Sequence, residues 1–263
     1  MTYNTTKYKK LIITLIFYFS WLGFAQAADI SKIIEKRISK DRKSLDLIGL
    51  NIGPKGAKQL AKMESLSTLV TLHLQGNRIK ARGIKALAKS PHFANLKHLD
   101  LYGNLLGDRG LKAIAESPYF GKLESLKLWK NDIIDDSMKF LSGSNYFSNL
   151  KTLMLNDNLI TDIGASIIAK SDNLPNLVTL NLFRNEIGNE GILAFAKSVQ
   201  FSKLESLYFG ENNITDEGAV ALIESKAFPA LKFLDLGKNL LGEATPLAAF
   251  KVNRKEKVRV LYK

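Results

Sequence analysis

The chain has 263 residues, 46% of them hydrophobic, and a formal net charge of +13. That apolar content suffices for one or two packed domains and excludes a disordered chain. There is no cysteine, which excludes disulfides, thiol nucleophiles, thiolate metal sites and thiol redox pairs.

In chain order, the first feature is a positive segment, Lys7, Lys9 and Lys10, followed by the apolar run Leu11 to Phe24 and by Ala25-Gln26-Ala27. This order of charged, apolar and small-x-small parts predicts a secretory signal peptide over residues 1–27, cleaved after Ala27. The run covers 14 residues, short of the roughly 18 to 20 that a membrane span needs, which disfavours the alternative of an uncleaved anchor. The mature chain is therefore expected to be secreted or periplasmic and free of the membrane. Its charge is uneven, with six basic and three acidic residues in 28–44, six and one in 251–263, and near balance between. The basic ends read as protected termini, with binding to an acidic surface as the alternative.

Residues 29–40 place Ile30, Ile33, Ile34 and Ile38 on one side of an amphipathic helix, a candidate N-terminal cap within residues 28–44. From Leu69 a pattern repeats every 27 residues. Its first column is Leu69, Leu96, Leu123, Leu150, Leu177, Leu204 and Leu231, and its second is Leu72, Leu99, Leu126, Leu153, Leu180, Leu207 and Leu234. The third is Leu74, Leu101, Leu128, Leu155, Leu182, Phe209 and Leu236. An asparagine column follows: Asn77, Asn104, Asn131, Asn158, Asn185, Asn212 and Asn239. A weaker copy precedes these units, with Leu45, Leu47 and Ile52, but with Arg42 and Leu50 in the first-leucine and asparagine columns.

Leucines alternating with other residues predict a strand with one buried face. The asparagine stands where the chain leaves the strand, and its amide can satisfy turn groups that no sheet or helix reaches. The second half of each unit predicts a helix, as over 82–93 with Ile84, Leu87 and Ala88 on one face and Phe93 closing the unit. A small residue, Gly56, Gly83, Gly110, Ser137, Gly164, Gly191 or Gly218, opens each helix, which predicts close approach to its neighbour. Thr245-Pro246 is expected to disrupt the last unit. The alternation over Lys257 to Tyr262 predicts a final edge strand in a C-terminal cap, 251–263.

The pattern LxxLxLxxNxI followed by GxxxLAxSxxF resembles the leucine-rich-repeat family, and its 27-residue unit most resembles the ribonuclease-inhibitor-like subtype. The resemblance covers residues 45–250, about eight units with the first degenerate. It implies a curved α/β solenoid, a right-handed β-α superhelix with a parallel concave sheet and convex helices. Terminal units of such a solenoid need caps. Caps without cysteine resemble those of bacterial exported members.

Chemistry-bearing patterns are sparse. His73 and His98 fall in neighbouring strands and Asp46 and Asp100 flank His73, but the set lacks a recognised metal-ligand spacing. Asp135-Asp136 precedes a helix, where acidic residues suit the dipole better than they suit a catalytic pair. Asn213-Ile214-Thr215 matches a glycosylation sequon at a position where the repeat already demands a polar turn. No catalytic residue, metal or cofactor is expected, and the chain reads as non-enzymatic.

Strand residues that alternate with the leucines point to the concave side. There the middle units carry Tyr102, Lys127, Trp129, Lys130, Met154, Phe183, Arg184 and Tyr208. Aromatics beside Lys and Arg at the centre of a sheet fit a protein-binding hot spot. Strand alternation predicts an exposed Trp129, and Lys127 and Lys130 beside it favour an acidic partner. The expected function is a monomeric, exported scaffold for a protein partner, in one version a host-directed bacterial factor. A glycan binder or a regulator of a small GTPase are the alternatives. Nucleic acid is not expected, because acidic and basic residues mix along the concave columns.

Overall fold

A computed structural model describes residues 30–256 and 258–263; the leader assigned to residues 1–27 lies outside the described residues. The chain alternates short strands and helices. Helix α1 (Ile30–Arg37) leads into β1 (Ser44–Asp46), α2 (Gly53–Leu60), β2 (Thr71–His73), α3 (Lys80–Ala88), β3 (His98–Asp100) and α4 (Gly107–Ala115). Next come β4 (Ser125–Lys127), α5 (Met138–Ser142), β5 (Thr152–Met154), α6 (Asp162–Ala169), β6 (Thr179–Asn181) and α7 (Asn189–Ala196). The chain ends with β7 (Ser206–Tyr208), α8 (Asp216–Ile223), β8 (Phe233–Asp235), α9 (Ala244–Glu256) and β9 (Arg259–Leu261).

The nine strands form one open parallel sheet in chain order. Leu45, Leu72, Leu99, Leu126, Leu153, Leu180, Leu207 and Leu234 stand in register across it, and Val260 of β9 continues the row. Each of these side chains is buried, so one unit's leucines are covered by its neighbours'. The result is an α/β leucine-rich solenoid, the sheet on its concave side and the helices on the other.

Three hydrogen-bond ladders tie the units together. In the first, Asn158 Nδ2 donates to Leu155 O at 2.8 Å within its unit and to Leu128 O at 3.2 Å in the preceding one. Its Oδ1 accepts from Asn131 N and Ile133 N at 3.0 and 3.2 Å. Every asparagine thus serves the unit before it. Asn77 does so for the first unit, donating to Leu47 O and accepting from Ile52 N. Among the described residues no strand precedes β1, so an amide at Leu50 would find no earlier unit to serve.

The second ladder is a serine column. Ser90, Ser117, Ser144, Ser198 and Ser225 donate from Oγ to the carbonyls of Ala61, Ala88, Ala115, Ala169 and Ala196 at 2.5–2.6 Å. Carbonyls at the ends of the preceding helices, unpaired by their own helix, are satisfied this way.

The third ladder works at helix starts. Asp135 accepts from Thr161 N, Thr161 Oγ1 and Gly164 N at 2.6–2.9 Å and so caps α6, the helix of the next unit. Asp162 accepts from Gly188 N and Gly191 N at 2.7 Å, at α7. Asn189 accepts from Thr215 N and Gly218 N at α8, and Asp216 accepts from Gly242, Ala244 and Thr245 at α9. A Cβ on Gly191 would lie 2.7 Å from Asp162 Oδ1 and 2.9 Å from the Ala165 Cβ. The small-residue column is what leaves room for both the cap and the neighbouring helix.

Two expectations need correction. The segment 82–93 is not one helix: α3 ends at Ala88 and a separate 3-10 turn covers Pro91–Phe93. Pro91 lacks an N–H and holds Ser90 in the extended region, at φ −91° and ψ 123°. Nor does Thr245-Pro246 break the last unit. Both lie in the first turn of α9, where a missing N–H is harmless, and Thr245 donates to Asp216. That helix runs across residue 250 into the segment assigned to the C-terminal cap.

Candidate binding surface on the concave sheet

The concave surface is built from the residues flanking the buried leucine of each strand and from the turn that follows. Several polar residues there are already engaged in holding the strand ends. Asp46, Asp100, Asn181 and Asp235 each accept, through Oδ1, the backbone N–H two residues on, at 2.9–3.2 Å. Burial pushes the Asp235 carboxyl up, with Glu211 adding to the rise against the hydrogen bond from Gly237. His98 aligns with Thr71 and His73 with Asp100, so the two histidines stand in different rows. Among the described residues no three His, Asp or Glu side chains gather as metal ligands.

Tyr102 and Trp129, in the turns after β3 and β4, come together as a stacked pair with ring centroids 3.6 Å apart and planes 16° from parallel. Both are half-buried. The expectation of an exposed Trp129 is corrected in that respect: strand alternation sends the ring out of the core, and Tyr102 then covers one of its faces. Met154, half-buried, lies opposite Lys127 in the sheet register. Phe183 does not join the pair. Its ring lies across Gly210, where a Cβ would meet Cδ2 and Cε2 at 2.8 Å. Tyr208 packs against Phe233 at 5.2 Å, and Arg259 stands 5.8 Å from that ring.

The cations are less free than composition suggests. Lys127 lies 3.7 Å from Asp100 of the neighbouring strand. Arg184 and Lys238 both pair with Glu211, at 2.6 and 2.8 Å. Those two pairs hold the Glu211 carboxyl below its usual range. Only Lys130 of the predicted basic residues has no carboxylate partner among the described residues. Of the two lysines expected beside the ring to favour an acidic partner, Lys127 is thus offset by Asp100 of the neighbouring unit, and Arg184 is likewise offset by Glu211.

A second feature of this surface lay hidden in the repeat. The turn position after the aromatic column has a left-handed backbone in every unit. Gly49, Gly76 and Gly103 fill it first, with φ of 69°, 67° and 64°. Lys130, Asp157, Arg184, Glu211 and Lys238 then take it with φ of 51–57°. A side chain there costs about 1–2 kcal/mol over glycine, and the units with glycine at this place carry a left-handed Asn51, Arg78 or Leu105 two residues on. The 27-residue step lays this column out in the sequence; its backbone conformation was not legible there.

The sequence matches the family model described as Leucine Rich repeat at residues 65–88, 94–115, 173–196 and 202–222. Those four segments are leucine-rich repeats. No curated protein matches it. Among solved structures these repeats are similar to internalin C2 of Listeria monocytogenes, with 24% identity, a TM-score of 0.55, and coverage of 84% of this chain and 80% of that one. They are also similar to a second internalin of Listeria monocytogenes, with 21% identity, a TM-score of 0.53, and coverage of 84% of this chain. This chain spans 58% of that internalin's length. These likenesses concern the fold.

Proposed function

We propose that this chain is an exported, non-enzymatic scaffold that holds a protein partner in its concave face, with repeats of the ribonuclease-inhibitor-like subtype. The observation that carries the reading is the half-buried Tyr102–Trp129 stack on the sheet. Large aromatics standing on a sheet away from the core are the side chains from which interface hot spots are made. A glycan reading suits the geometry less well. Tyr102 and Trp129 spend their facing ring surfaces on each other, which leaves at most one face of each ring for sugar stacking. Alternating signs along Lys130, Asp157, Arg184, Glu211 and Lys238 suit a protein surface of mixed charge. If the source is a pathogen, the partner is expected on the host.

The test is capture of partner protein on the immobilised mature chain, comparing wild type with Trp129→Ala and, on the helical side, Lys170→Ala. Trp129→Ala should weaken retention by about 2 kcal/mol or more, as for a hot-spot aromatic, with unchanged melting. Lys170→Ala should bind as wild type. Equal retention by all three proteins would defeat the concave-face reading.

A further inference from the structure

The helical side of the solenoid divides by charge in a way that whole-chain counts hide. Residues 45–115 carry eleven basic and four acidic residues, and residues 116–250 carry twelve and seventeen. On α2, α3 and α4 the basic excess stands in two columns. One is Lys55, Arg82 and Arg109, and the other, three residues on, is Lys58, Lys85 and Lys112. All six are exposed. Lys112 lies 3.7 Å from Glu116; the other five have no carboxylate partner among the described residues. Further along the array the first column reverses its charge, with Asp136, Ile163, Glu190 and Glu217. The second runs through Lys139, which pairs with Asp136, to Ser166, Leu193 and Val220.

Helix stability does not explain this grid of cations. Lys55, Arg82 and Arg109 stand in the first turns of their helices, where unpaired N–H groups favour an acid. Helices α7 and α8 follow that preference with Glu190 and Glu217. The three basic helices also pack side by side, a Cβ on Gly83 falling 3.0 Å from the Ala57 Cβ. Neighbouring axes are then about 10 Å apart, and the two cations of one helix about 5–6 Å apart, so the grid repels itself. Between the C-terminal ends of α2 and α3 lies a hollow of about 420 Å³ whose charged lining is Lys58, Lys62 and Lys89. The matching hollows between α4 and α5 and between α6 and α7 each include a glutamate, Glu116 and Glu190.

We propose that the outer face of α2, α3 and α4 binds a linear anionic polysaccharide. Cations that repeat from helix to helix match a ligand whose anions also repeat along its length. Arg82 and Arg109 can each hold an oxyanion through two N–H groups, and the lysines serve as point charges. The three helices contain no aromatic residue on which a nucleic-acid base could stack. Nor does any of them expose a large apolar side chain that could enter a bilayer or anchor a protein interface. Binding here acts through charge, on the side opposite the Tyr102–Trp129 stack, and does not depend on the concave-face reading.

The experiment is calorimetric titration of the mature protein with a heparin oligosaccharide at physiological ionic strength. The expected result is binding that weakens as salt is added. Lys55→Glu/Arg82→Glu should weaken it by about tenfold or more and flatten its salt dependence, because fewer counterions are displaced. The same variant should melt no lower than wild type, since an acid suits a helix start. Lys170→Glu/Lys197→Glu makes the same change in net charge at exposed positions just past α6 and α7, and should bind as wild type. Lys58→Glu/Lys85→Glu, one turn further along the same helices, repeats the test if the first variant does not fold. Absence of heparin binding overturns the proposal. So does an equal loss in the grid and control variants, because net charge alone would then account for the binding. Tighter binding of duplex DNA or of phosphatidylglycerol vesicles than of heparin through these cations overturns it likewise.

Discussion

At the scale of single residues, the largest stakes lie with the buried asparagines. Asn158 serves five backbone groups of two units through bonds of 2.8–3.3 Å. Alanine there leaves buried N–H and C=O groups without partners, at about 1–3 kcal/mol. The urea midpoint of Asn158→Ala should fall accordingly; an unchanged midpoint would remove the ladder from the account of stability. Trp129 offers an optical reading of the concave face, being the only tryptophan among the described residues. Its half-burial against Tyr102 predicts emission partly accessible to acrylamide. Tyr102→Ala should uncover the second ring face and raise the quenching constant. Quenching that ignores this substitution would mean the two rings do not stack in solution.

At the scale of elements, each helix from α6 to α9 takes its N-terminal cap from the unit before it. Asp216 shows this in titratable form: the Thr245 hydroxyl first, and then the Thr245, Gly242 and Ala244 N–H groups, hold its carboxyl below the usual range. A folded-state pKa below the unfolded value of about 3.9 means stability present above that pH and lost as pH falls through the folded value. Asp216→Asn should therefore melt below wild type at neutral pH, and the gap should narrow below about pH 4. A gap of constant size across that range would place the cap's contribution elsewhere than in the charge. Glu124 adds to the same acid-side behaviour, since hydrogen bonds from Lys151 and Lys97 hold its carboxyl down to about 2. Asp135 was legible as a helix-start residue, but it caps the helix of the following unit rather than its own.

At the scale of the whole molecule, an open sheet needs something at each end. At the C-terminus β9 covers β8, with Val260 beside Leu234 and Leu236 N donating to Leu261 O at 2.7 Å. Deleting residues 258–263 should expose Leu234 and Leu236 and lower the thermal midpoint of the chain. Equal melting of full and shortened proteins would show that β9 contributes nothing to the stack. Because each unit touches only its neighbours, the loss should be greatest in the last units, which hydrogen exchange on the amides of β7 and β8 would resolve.

The repeat was decided by sequence alone. A constant 27-residue step in leucine and asparagine permits only stacked strand–helix units, because no unit can bury its own leucines and each amide needs a neighbouring turn. Strand alternation likewise settled which side chains leave the core. What the sequence could not settle was how those outward side chains meet one another. Tyr102 turns onto Trp129, Phe183 turns onto Gly210, and Lys127 and Arg184 turn onto carboxylates one unit away. These contacts join residues 27 positions apart through rotamers that no local pattern fixes, so only the stacked tertiary structure, with strands about 4.8 Å apart, determines which faces and which charges remain for a partner.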